Sequence, residues 1–464
     1  MKILLVRPAP HPESVGLQSF MVCEPLELEY AAAAAKSLGC RVALADLILE
    51  RRSFARILAD ELPDVVAFTS YIVHVGVVKG LAREVRRFDP SIATVAAGVH
   101  VEVVPTDFED EAIDFILHSR ALEAWGLLLG ELSHLDAPGR GAPVEQWRRN
   151  VPGIWDGPCK PYDSRPLVPT VHPDRSLSAQ WRHRYDYIFH SRCALLKTSM
   201  GCAYGCEFCF CIRIARRQLV ERPLADVVAE IQEIPESNIF VVDDNFLFRP
   251  ERVLEFCERL DAAGINKRFL VFGRADFVVQ HPEVVERFKR SGLTAVFMGL
   301  ESFREQELSE MNKRTDVETN ARAVAILAGL DIECHAGIIV GPDWEPKDFA
   351  HLCRWLDRLG RPYVNIQPLT PMPGTPLYER MKGSIVVPRD RHELWDMTHL
   401  VVEPTRLSRR AFQWNIVKAY YRTTTGLSSH FRILRRYGLS VYLRTARGSL
   451  HLTGQYLRMI WKGT

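Results

Sequence analysis

Three cysteines in one short segment constrain this chain more than any other feature of its sequence. Cys202, Cys206 and Cys209 follow C-x3-C-x2-C spacing, and the apolar run at 194–199 predicts a strand that leads into them. Clustered thiolates are typical ligands of iron–sulfur clusters and of zinc. Because a structural zinc site needs four protein ligands, three cysteines favour a 4Fe–4S cluster with one iron open to a small molecule. Zinc is the alternative, with Cys211 as its fourth ligand.

This cysteine motif resembles the signature of the radical S-adenosylmethionine (SAM) superfamily. Phe208 stands at the aromatic position before the third cysteine, where its flat face is expected to pack beside SAM. The resemblance implies that SAM binds the open iron and is cleaved reductively to a 5′-deoxyadenosyl radical, which abstracts hydrogen from a small-molecule substrate. It also implies an electron donor of the flavodoxin or ferredoxin type.

Composition narrows the class of protein and its partners. The chain has 464 residues, of which 47% are hydrophobic and 25% charged, as expected for a globular protein of two or three domains. A formal net charge of +2 shows no basic excess, so no nucleic-acid partner is expected. Eleven cysteines and no recognisable signal peptide predict reduced thiols and a cytoplasmic location.

The first 135 residues alternate apolar strands with helical segments, which predicts a Rossmann-like α/β domain with a parallel sheet. This layout resembles the cobalamin-binding domain that precedes the radical domain in one branch of the superfamily. The predicted strands are 2–6, 41–45, 65–69, 92–97 and 113–117.

Three positions in this domain depart from the cobalamin-binding pattern. His11 lacks the Asp and Gly of the axial-ligand motif, Ala97 replaces a family glycine, and residues 118–120 replace a glycine-rich turn. Glycine lets the backbone approach a wide corrin ring, and larger side chains obstruct it. We therefore expect a fold that has lost cobalamin, in a protein that forms 5′-deoxyadenosine without S-adenosylhomocysteine.

Strand–helix alternation resumes over residues 191–385 and resembles the partial (β/α)6 barrel of radical SAM enzymes. Ligands bind such barrels at the carboxyl ends of the strands. Asp243, Asp244 and Asn245 follow one strand and are candidates for substrate binding or proton transfer, and His335 for a general acid or base. Helix capping is the alternative for the first three, and a structural ion pair for Glu301. The resemblance assigns SAM contacts to Phe208, Gly299, Glu301, Ser302, Gly337, Ile338 and Gly341. Arg274 is a candidate to pair with the SAM carboxylate or with a substrate anion, and the alternative for Arg274 and His335 is to support neighbouring site residues without touching a ligand.

The segments around the barrel carry less information. Residues 136–190 are rich in Pro, Gly, Arg and Trp and predict a linker with its tip at 138–143, in which Cys159 is an ordinary thiol. No Asp or Glu follows Glu403, whereas twelve Lys or Arg do. Residues 386–464 are predicted to form a helical cap over the open side of the barrel, with peripheral contact to an anionic membrane as the alternative.

Three functions are compatible with these features. The carboxylates and the altered glycines favour dehydration, rearrangement or oxidation of a polar small molecule, of which aminoglycoside diol dehydration is an example. The alternative is cobalamin-dependent methylation of an unactivated carbon, as in hopanoid C-3 methylases, which would suit a basic tail and a lipid substrate. A non-catalytic cluster or RNA-binding module is disfavoured by the motifs at Glu301 and Gly337.

Overall fold

The computed structural model describes residues 1–134, 151–157, 167–424 and 427–463. The predicted linker tip at 138–143 and Cys159 lie outside the described residues. The described chain forms two α/β units, which pack against each other, and a helical carboxyl-terminal region. This architecture confirms the predicted fold class.

The first unit is a doubly wound parallel sheet with strand order β3-β1-β4-β5-β6. The order reverses between β1 and β4, so the switch point, where such sheets bind ligands, lies between these two strands. Its elements are β1 (Lys2–Arg7), β2 (Met21–Val22), α1 (Leu26–Ser37), β3 (Arg41–Asp46), α2 (Phe54–Glu61), β4 (Val65–Thr69), α3 (Val75–Phe88), β5 (Ala93–Ala97), α4 (Val99–Val103), β6 (Phe115–Ile116) and α5 (Ala121–Leu132).

The second unit is a six-stranded parallel sheet with strand order β8-β11-β12-β13-β14-β15. Phe189, just before β8, lies with its ring 4.6 Å from that of Tyr363 on β15, so the sheet curves until its two edges approach. The elements are β7 (Asp186–Tyr187), β8 (Cys193–Leu196), β9 (Ser199–Gly201), α6 (Cys211–Ala215), β10 (Leu219–Glu221), α7 (Leu224–Glu233), β11 (Asn238–Val241), α8 (Pro250–Ala262), β12 (Arg268–Gly273), α9 (Ala275–Gln280), α10 (Pro282–Arg290), β13 (Leu293–Glu301), α11 (Glu305–Glu310), α12 (Val317–Gly329), β14 (Glu333–Val340), α13 (Pro346–Arg358), β15 (Tyr363–Pro368) and α14 (Pro376–Met381).

Side chains of the barrel strands alternate between the helical layer and the lumen. On β13, Val296, Met298 and Leu300 are buried in the core beneath the helices, and the residues between them face the lumen. The lumen is filled at this level by aromatic rings. Phe272 lies 5.1 Å, between ring centroids, from both Phe240 and Phe297.

Buried ion pairs hold the two units together. Arg175 contacts Glu24 and lies 3.6 Å from Glu29, both in the first unit, and 2.8 Å from Glu230 on α7 of the barrel. Arg222 approaches the other oxygen of Glu230 at 2.6 Å. Removing one partner from such a buried network costs on the order of 3–5 kcal/mol. The part of the predicted linker that contains Arg175 is therefore packed structure, and its β7 pairs with β2.

Helices α15 (Arg409–Thr424) and α16 (Leu427–Lys462) follow the barrel, and α16 is broken at Gly438, where φ is 81°. Helix α15 packs along β15, and the Tyr420 hydroxyl accepts a hydrogen bond of 2.8 Å from the Ile366 amide. The helices thus cover the open side of the barrel. Among the described residues, we find no helix with the length and apolar character needed to cross a bilayer.

Candidate active site

Asp243, which follows β11, anchors the residues that lead into the cysteine loop. Its Oδ1 accepts hydrogen bonds from the amides of Thr198 (2.6 Å) and Ser199 (3.0 Å), and its Oδ2 from their hydroxyls (2.5 and 2.7 Å). The carboxylate is 1% exposed. Asp243 was predicted to act on substrate, but the structure places it behind the loop, where it positions the strand that carries the cysteines.

The two neighbours of Asp243 lie closer to the loop itself. Asp244 accepts a hydrogen bond of 3.0 Å from the Gly201 amide, and the Cys211 thiol lies 3.4 Å from its other oxygen. Asn245 is 6% exposed, and neither polar atom of its amide has a partner in the described part of the chain. An orphaned buried amide beside the cysteine loop is a group that a bound ligand would satisfy.

Cys202, Cys206 and Cys209 lie together in this loop as free thiols. Burial raises the pKa of Cys202 to about 11 and also raises that of Cys206, against the lowering effect of nearby Lys313 and Arg274. A hydrogen bond from Cys211 lowers the pKa of Cys209. Three converging thiols with two cations at their edge are a donor set that fits a 4Fe–4S cluster.

Arg274 braces the cysteine loop. Its guanidinium stacks 3.8 Å from the Tyr204 ring centre, pairs with Asp276 at 3.0 Å and donates to the Lys313 carbonyl at 2.7 Å. Its Nη1 lies 3.9 Å from Cys206 Sγ. The contacts with Asp276 and the Lys313 carbonyl hold the guanidinium in place and use most of its N–H donors. Its positive charge therefore lies beside Cys206, where it can stabilise a thiolate that binds the cluster.

Glu301 lies at the carboxyl end of β13 in a buried ion pair with Lys313, at 2.7 Å. Its φ of 58° is in the left-handed region, and a Cβ on Gly299 would lie 2.0 Å from its carboxylate. Gly299 is therefore required for Glu301 to fold back over the strand. The Lys313 ammonium is 5.9 Å from the centre of the Phe208 ring, so the predicted SAM contacts Phe208 and Glu301 meet around this lysine.

Gly299 and Gly337 are partners in the register of β13 and β14. A Cβ on Gly337 would meet only Gly299 and Phe297, at 3.7 and 3.8 Å, so Gly337 leaves a strip of bare backbone towards the lumen, beside the Glu301 carboxylate that covers Gly299. Such a strip fits the flat adenine expected there. The Ile338 side chain points instead into the core, and a Cβ on Gly341 would lie 2.8 Å from Asp343 in a local turn.

Two other predicted residues serve the fold. Ser302 is fully buried; its hydroxyl contacts Glu307 and accepts a hydrogen bond of 3.0 Å from the Arg304 amide, at the start of α11. His335 lies near the amino end of β14, with Nε2 3.1 Å from Glu333. The cysteines are at the opposite end of the sheet, so the structure corrects the proposed acid–base role of His335.

The segment 311–313 holds the other side of the cysteine loop. Asn312 donates to the Gly205 carbonyl at 2.9 Å, and the Glu207 amide donates to the Met311 carbonyl at 3.1 Å. In the sequence, the only sign of this role is a polar run after α11, and the sequence does not show that this run lies next to the cysteines. These contacts join the cysteine loop to the loop that carries Lys313.

The first unit meets the barrel at its carboxyl-end loops. Helix α4, directly after β5, packs on α6, which follows the cysteines. Gly374, with φ 85°, lies where a Cβ would be 2.7 Å from Val103 on α4 and 3.9 Å from Arg213 on α6. The ligand-binding edge of the first sheet therefore faces the cysteine loop.

The turn at 118–120, expected to obstruct cobalamin, follows the edge strand β6, two strands from the switch point. Arg120 pairs with Glu123 at 2.7 Å and carries no unpaired charge. Closer to the switch point, Gly98 has a φ of 113° and a Cβ there would be 2.6 Å from the Ser70 amide. The loops after β4 and β5 thus pack closely at Gly98, and the side chains at 118–120 lie away from the switch point, where they do not obstruct cobalamin.

Comparisons with known proteins agree with these two sites. Residues 14–124 match the family described as B12 binding domain, and residues 196–356 match the Radical SAM superfamily. The chain is 27% identical to a hopanoid C-3 methylase from Methylococcus capsulatus, in an alignment that covers 100% of this chain and 87% of the relative.

Two solved structures share the fold. The radical SAM methyltransferase TsrM from Kitasatospora setae, with tryptophan substrate and a SAM analog bound, has a TM-score of 0.70 at 17% identity and covers 99% of this chain and 98% of its own. The cobalamin-dependent SAM radical enzyme OxsB, with aqua-cobalamin and SAM bound, has a TM-score of 0.67 at 15% identity and covers 100% and 81%.

These findings correct two predictions. The relative that matches along the whole chain is a methylase, so dehydration, rearrangement or oxidation of a polar molecule was the wrong main prediction. The match to a B12 binding domain weighs against the predicted loss of cobalamin. The match of residues 196–356 to the Radical SAM superfamily also weighs against the non-catalytic module and against the zinc alternative.

Proposed function

Because this enzyme is a radical SAM protein with an amino-terminal B12-binding domain, we propose that it is a cobalamin-dependent methyltransferase acting on an unactivated carbon of a lipid-like polycyclic substrate. The observation that carries the proposal is the packing of α4 on α6. It sets the cobalamin edge of the first sheet against the cysteine loop, and methyl transfer requires both cofactors to reach one substrate carbon.

Three sets of described residues would each hold one cofactor. Cys202, Cys206 and Cys209 would hold the cluster, the backbone at Gly299 and Gly337 together with Glu301 would hold SAM, and the loops after β1, β4 and β5 would hold cobalamin. When bound, the cluster and SAM supply a hydrogen-abstracting radical, and cobalamin carries the methyl group. A flavodoxin or ferredoxin would supply electrons.

The protein's own groups position and shield these ligands. Asp243 fixes the strand before the cysteines through its four hydrogen bonds. The ion pair with Lys313, at 2.7 Å, fixes the position of the Glu301 carboxylate. We propose that this carboxylate accepts hydrogen bonds from the ammonium of SAM. The orphaned amide of Asn245 is our candidate for a hydrogen bond to SAM or substrate.

The lumen supports an apolar substrate. Towards the amino ends of the strands from Gly337, Phe272 contacts both Phe240 and Phe297, so aromatic rings form the walls of the lumen there. Aromatic walls favour a flat hydrocarbon over a polyhydroxylated molecule, which would leave its hydroxyls unpaired. This agrees with a relative that methylates hopanoids.

The test uses the full chain expressed with cobalamin, reconstituted anaerobically and given trideuteromethyl-SAM, a reductant and a bacterial hopanoid extract in detergent. We expect stoichiometric bound cobalamin in the optical spectrum, a trideuteromethylated hopanoid by mass spectrometry, and both 5′-deoxyadenosine and S-adenosylhomocysteine. Cys206→Ala is the control and should form none of the three products. Protein without cobalamin that forms only 5′-deoxyadenosine would contradict the proposal.

A further inference from the structure

Helix α16 has an apolar face that no described residue covers. After the break at Gly438, the side chains of Leu439, Leu443, Leu450, Leu457 and Trp461 are 45–81% exposed. At about 100° of rotation per residue, these five positions fall within an arc of roughly 40° and extend over about 33 Å. We call this set the apolar stripe. Scattered single exposed leucines are ordinary, but a continuous row is the mark of an interaction surface.

The apolar stripe is separate from the face of α16 that joins the core. Tyr456 and Met459 are 6% and 3% exposed and pack in the barrel core. Gly448 lies against Phe20, where a Cβ would be 2.4 Å from Phe20 Cδ1. These residues lie on the opposite side of the helix from the stripe. One face of the helix is therefore buried against the rest of the chain, and the face that carries the stripe stays exposed.

Positive charge accompanies the stripe. Arg447 and Arg458 are exposed and follow on one flank of it. Past Glu403 the chain has no acidic residue to neutralise them. A groove of about 540 Å³ opens beside the stripe, lined by Ser19, Leu443, Arg444, Arg447 and His451. Arg444 is paired with Asp186 at 2.8 Å, so the groove combines an apolar wall with the guanidinium of Arg447, as a lipid headgroup and the first part of its acyl chain require.

We propose that residues 439–462 lie along an anionic lipid bilayer, with the apolar stripe in the acyl boundary and Arg447 and His451 on a headgroup phosphate. An exposed tryptophan at one end, Trp461, suits the interfacial zone of a bilayer. A second copy of the chain fits less well, because a symmetric pairing of stripes would bring two sets of arginines together. The inference stands on α16 alone and does not depend on the proposed chemistry.

The experiment is vesicle flotation of the full-length protein. One set of vesicles is phosphatidylcholine alone, and the other contains about 30 mol% phosphatidylglycerol. We expect binding to the anionic vesicles that is at least tenfold stronger than to the neutral ones and that weakens as salt is raised above about 0.1 M. Equal binding to both, or to neither, overturns the proposal.

Matched variants separate the stripe from general hydrophobicity. The triple variant Leu450→Ser, Leu457→Ser, Trp461→Ser should lose at least tenfold in vesicle binding, and Arg447→Glu with Arg458→Glu should lose the preference for anionic vesicles. The control Leu127→Ser with Leu254→Ser changes leucines that are 45% and 37% exposed elsewhere and should bind as wild type. Unchanged binding of the triple variant, or a wild-type dimer that this variant dissociates in sedimentation, overturns the proposal.

Discussion

Replacing Asp243 by alanine should cost the protein both stability and iron. The substitution removes the acceptor of four hydrogen bonds and leaves two amides and two hydroxyls buried at Thr198 and Ser199, which are 0% and 4% exposed. Hydrogen bonds to a charged group contribute about 1.5–3 kcal/mol each, but four bonds to one carboxylate are not additive. We expect a loss of about 3–5 kcal/mol, as for other buried charged partners.

Asparagine at the same position should be much milder. Its oxygen can still accept from the two amides, and the hydroxyls of Thr198 and Ser199 can rotate to accept from its NH₂ group. Asp243→Asn should therefore lose only about 1 kcal/mol. If the carboxylate acted directly on substrate, the asparagine variant would instead be as inactive as the alanine variant while keeping its cluster.

The assay combines urea unfolding of the apoprotein with iron and sulfide analysis after anaerobic reconstitution. A loss of 3–5 kcal/mol moves the urea midpoint by about 1–2 M, and the displaced loop should hold well under the expected four irons of a 4Fe–4S cluster. Asn238→Ala is the control, since its buried amide donates to Ser191 at the opposite end of β11. A normal midpoint and full iron in Asp243→Ala, or equal iron loss in the control, would refute the reasoning.

Three further predictions follow from the site. Alanine at any of Cys202, Cys206 or Cys209 should abolish iron binding and SAM cleavage, whereas Cys211→Ala should keep its iron by elemental analysis. Glu301→Gln should weaken SAM binding by roughly 10–100-fold in equilibrium dialysis with unchanged iron content, because it removes a charge-assisted hydrogen bond. Burial raises the pKa of the Glu102 carboxyl to about 7, so the folded chain holds a proton that the unfolded chain releases above about pH 4.3. The contribution of this carboxyl to stability should therefore fall as the pH rises from about 4.3 to 7, by at most about 1.4 kcal/mol per unit, so the urea midpoint of the wild type should decline relative to that of Glu102→Gln between pH 5 and 7.

The parts of the fold that the sequence predicted are those coded locally. Strand–helix alternation identified both parallel sheets, and the spacing of three cysteines identified the cluster loop, because each depends on neighbours within one segment. The order of strands in the first sheet is a property of the whole chain. Without that order, the turn after β6 was weighed as if it lay at the switch point, and cobalamin was doubted on that ground although residues 14–124 match a B12 binding domain.

Roles of individual side chains were harder to predict because they depend on partners far away in sequence. Asp243 and Asp244 were treated alike, yet all the hydrogen bonds that Asp243 accepts come from Thr198 and Ser199, 45 and 44 residues away. Lys313 was overlooked because its partner is Glu301, across a loop. His335 was a different error, since it stands near the start of its strand and the rule for barrels already placed the active site at the other end.

The position of His335 has its own consequence. Glu333, its neighbour on β14, also lies 3.4 Å from His190 and 2.9 Å from Arg436 of α16. Burial opposes ionisation of Glu333, but hydrogen bonds from His190 and His335 prevail and lower its pKa to about 2, so the carboxylate is charged and holds Arg436 at any ordinary pH. The same strand carries Gly337 of the proposed SAM site, about 13 Å further along at roughly 3.3 Å per residue. The part of α16 before the break at Gly438 is thus fixed to a strand of the barrel, and the part that carries the apolar stripe packs into the barrel core through Tyr456 and Met459. A bilayer bound by the stripe would therefore hold the barrel in one orientation to the membrane.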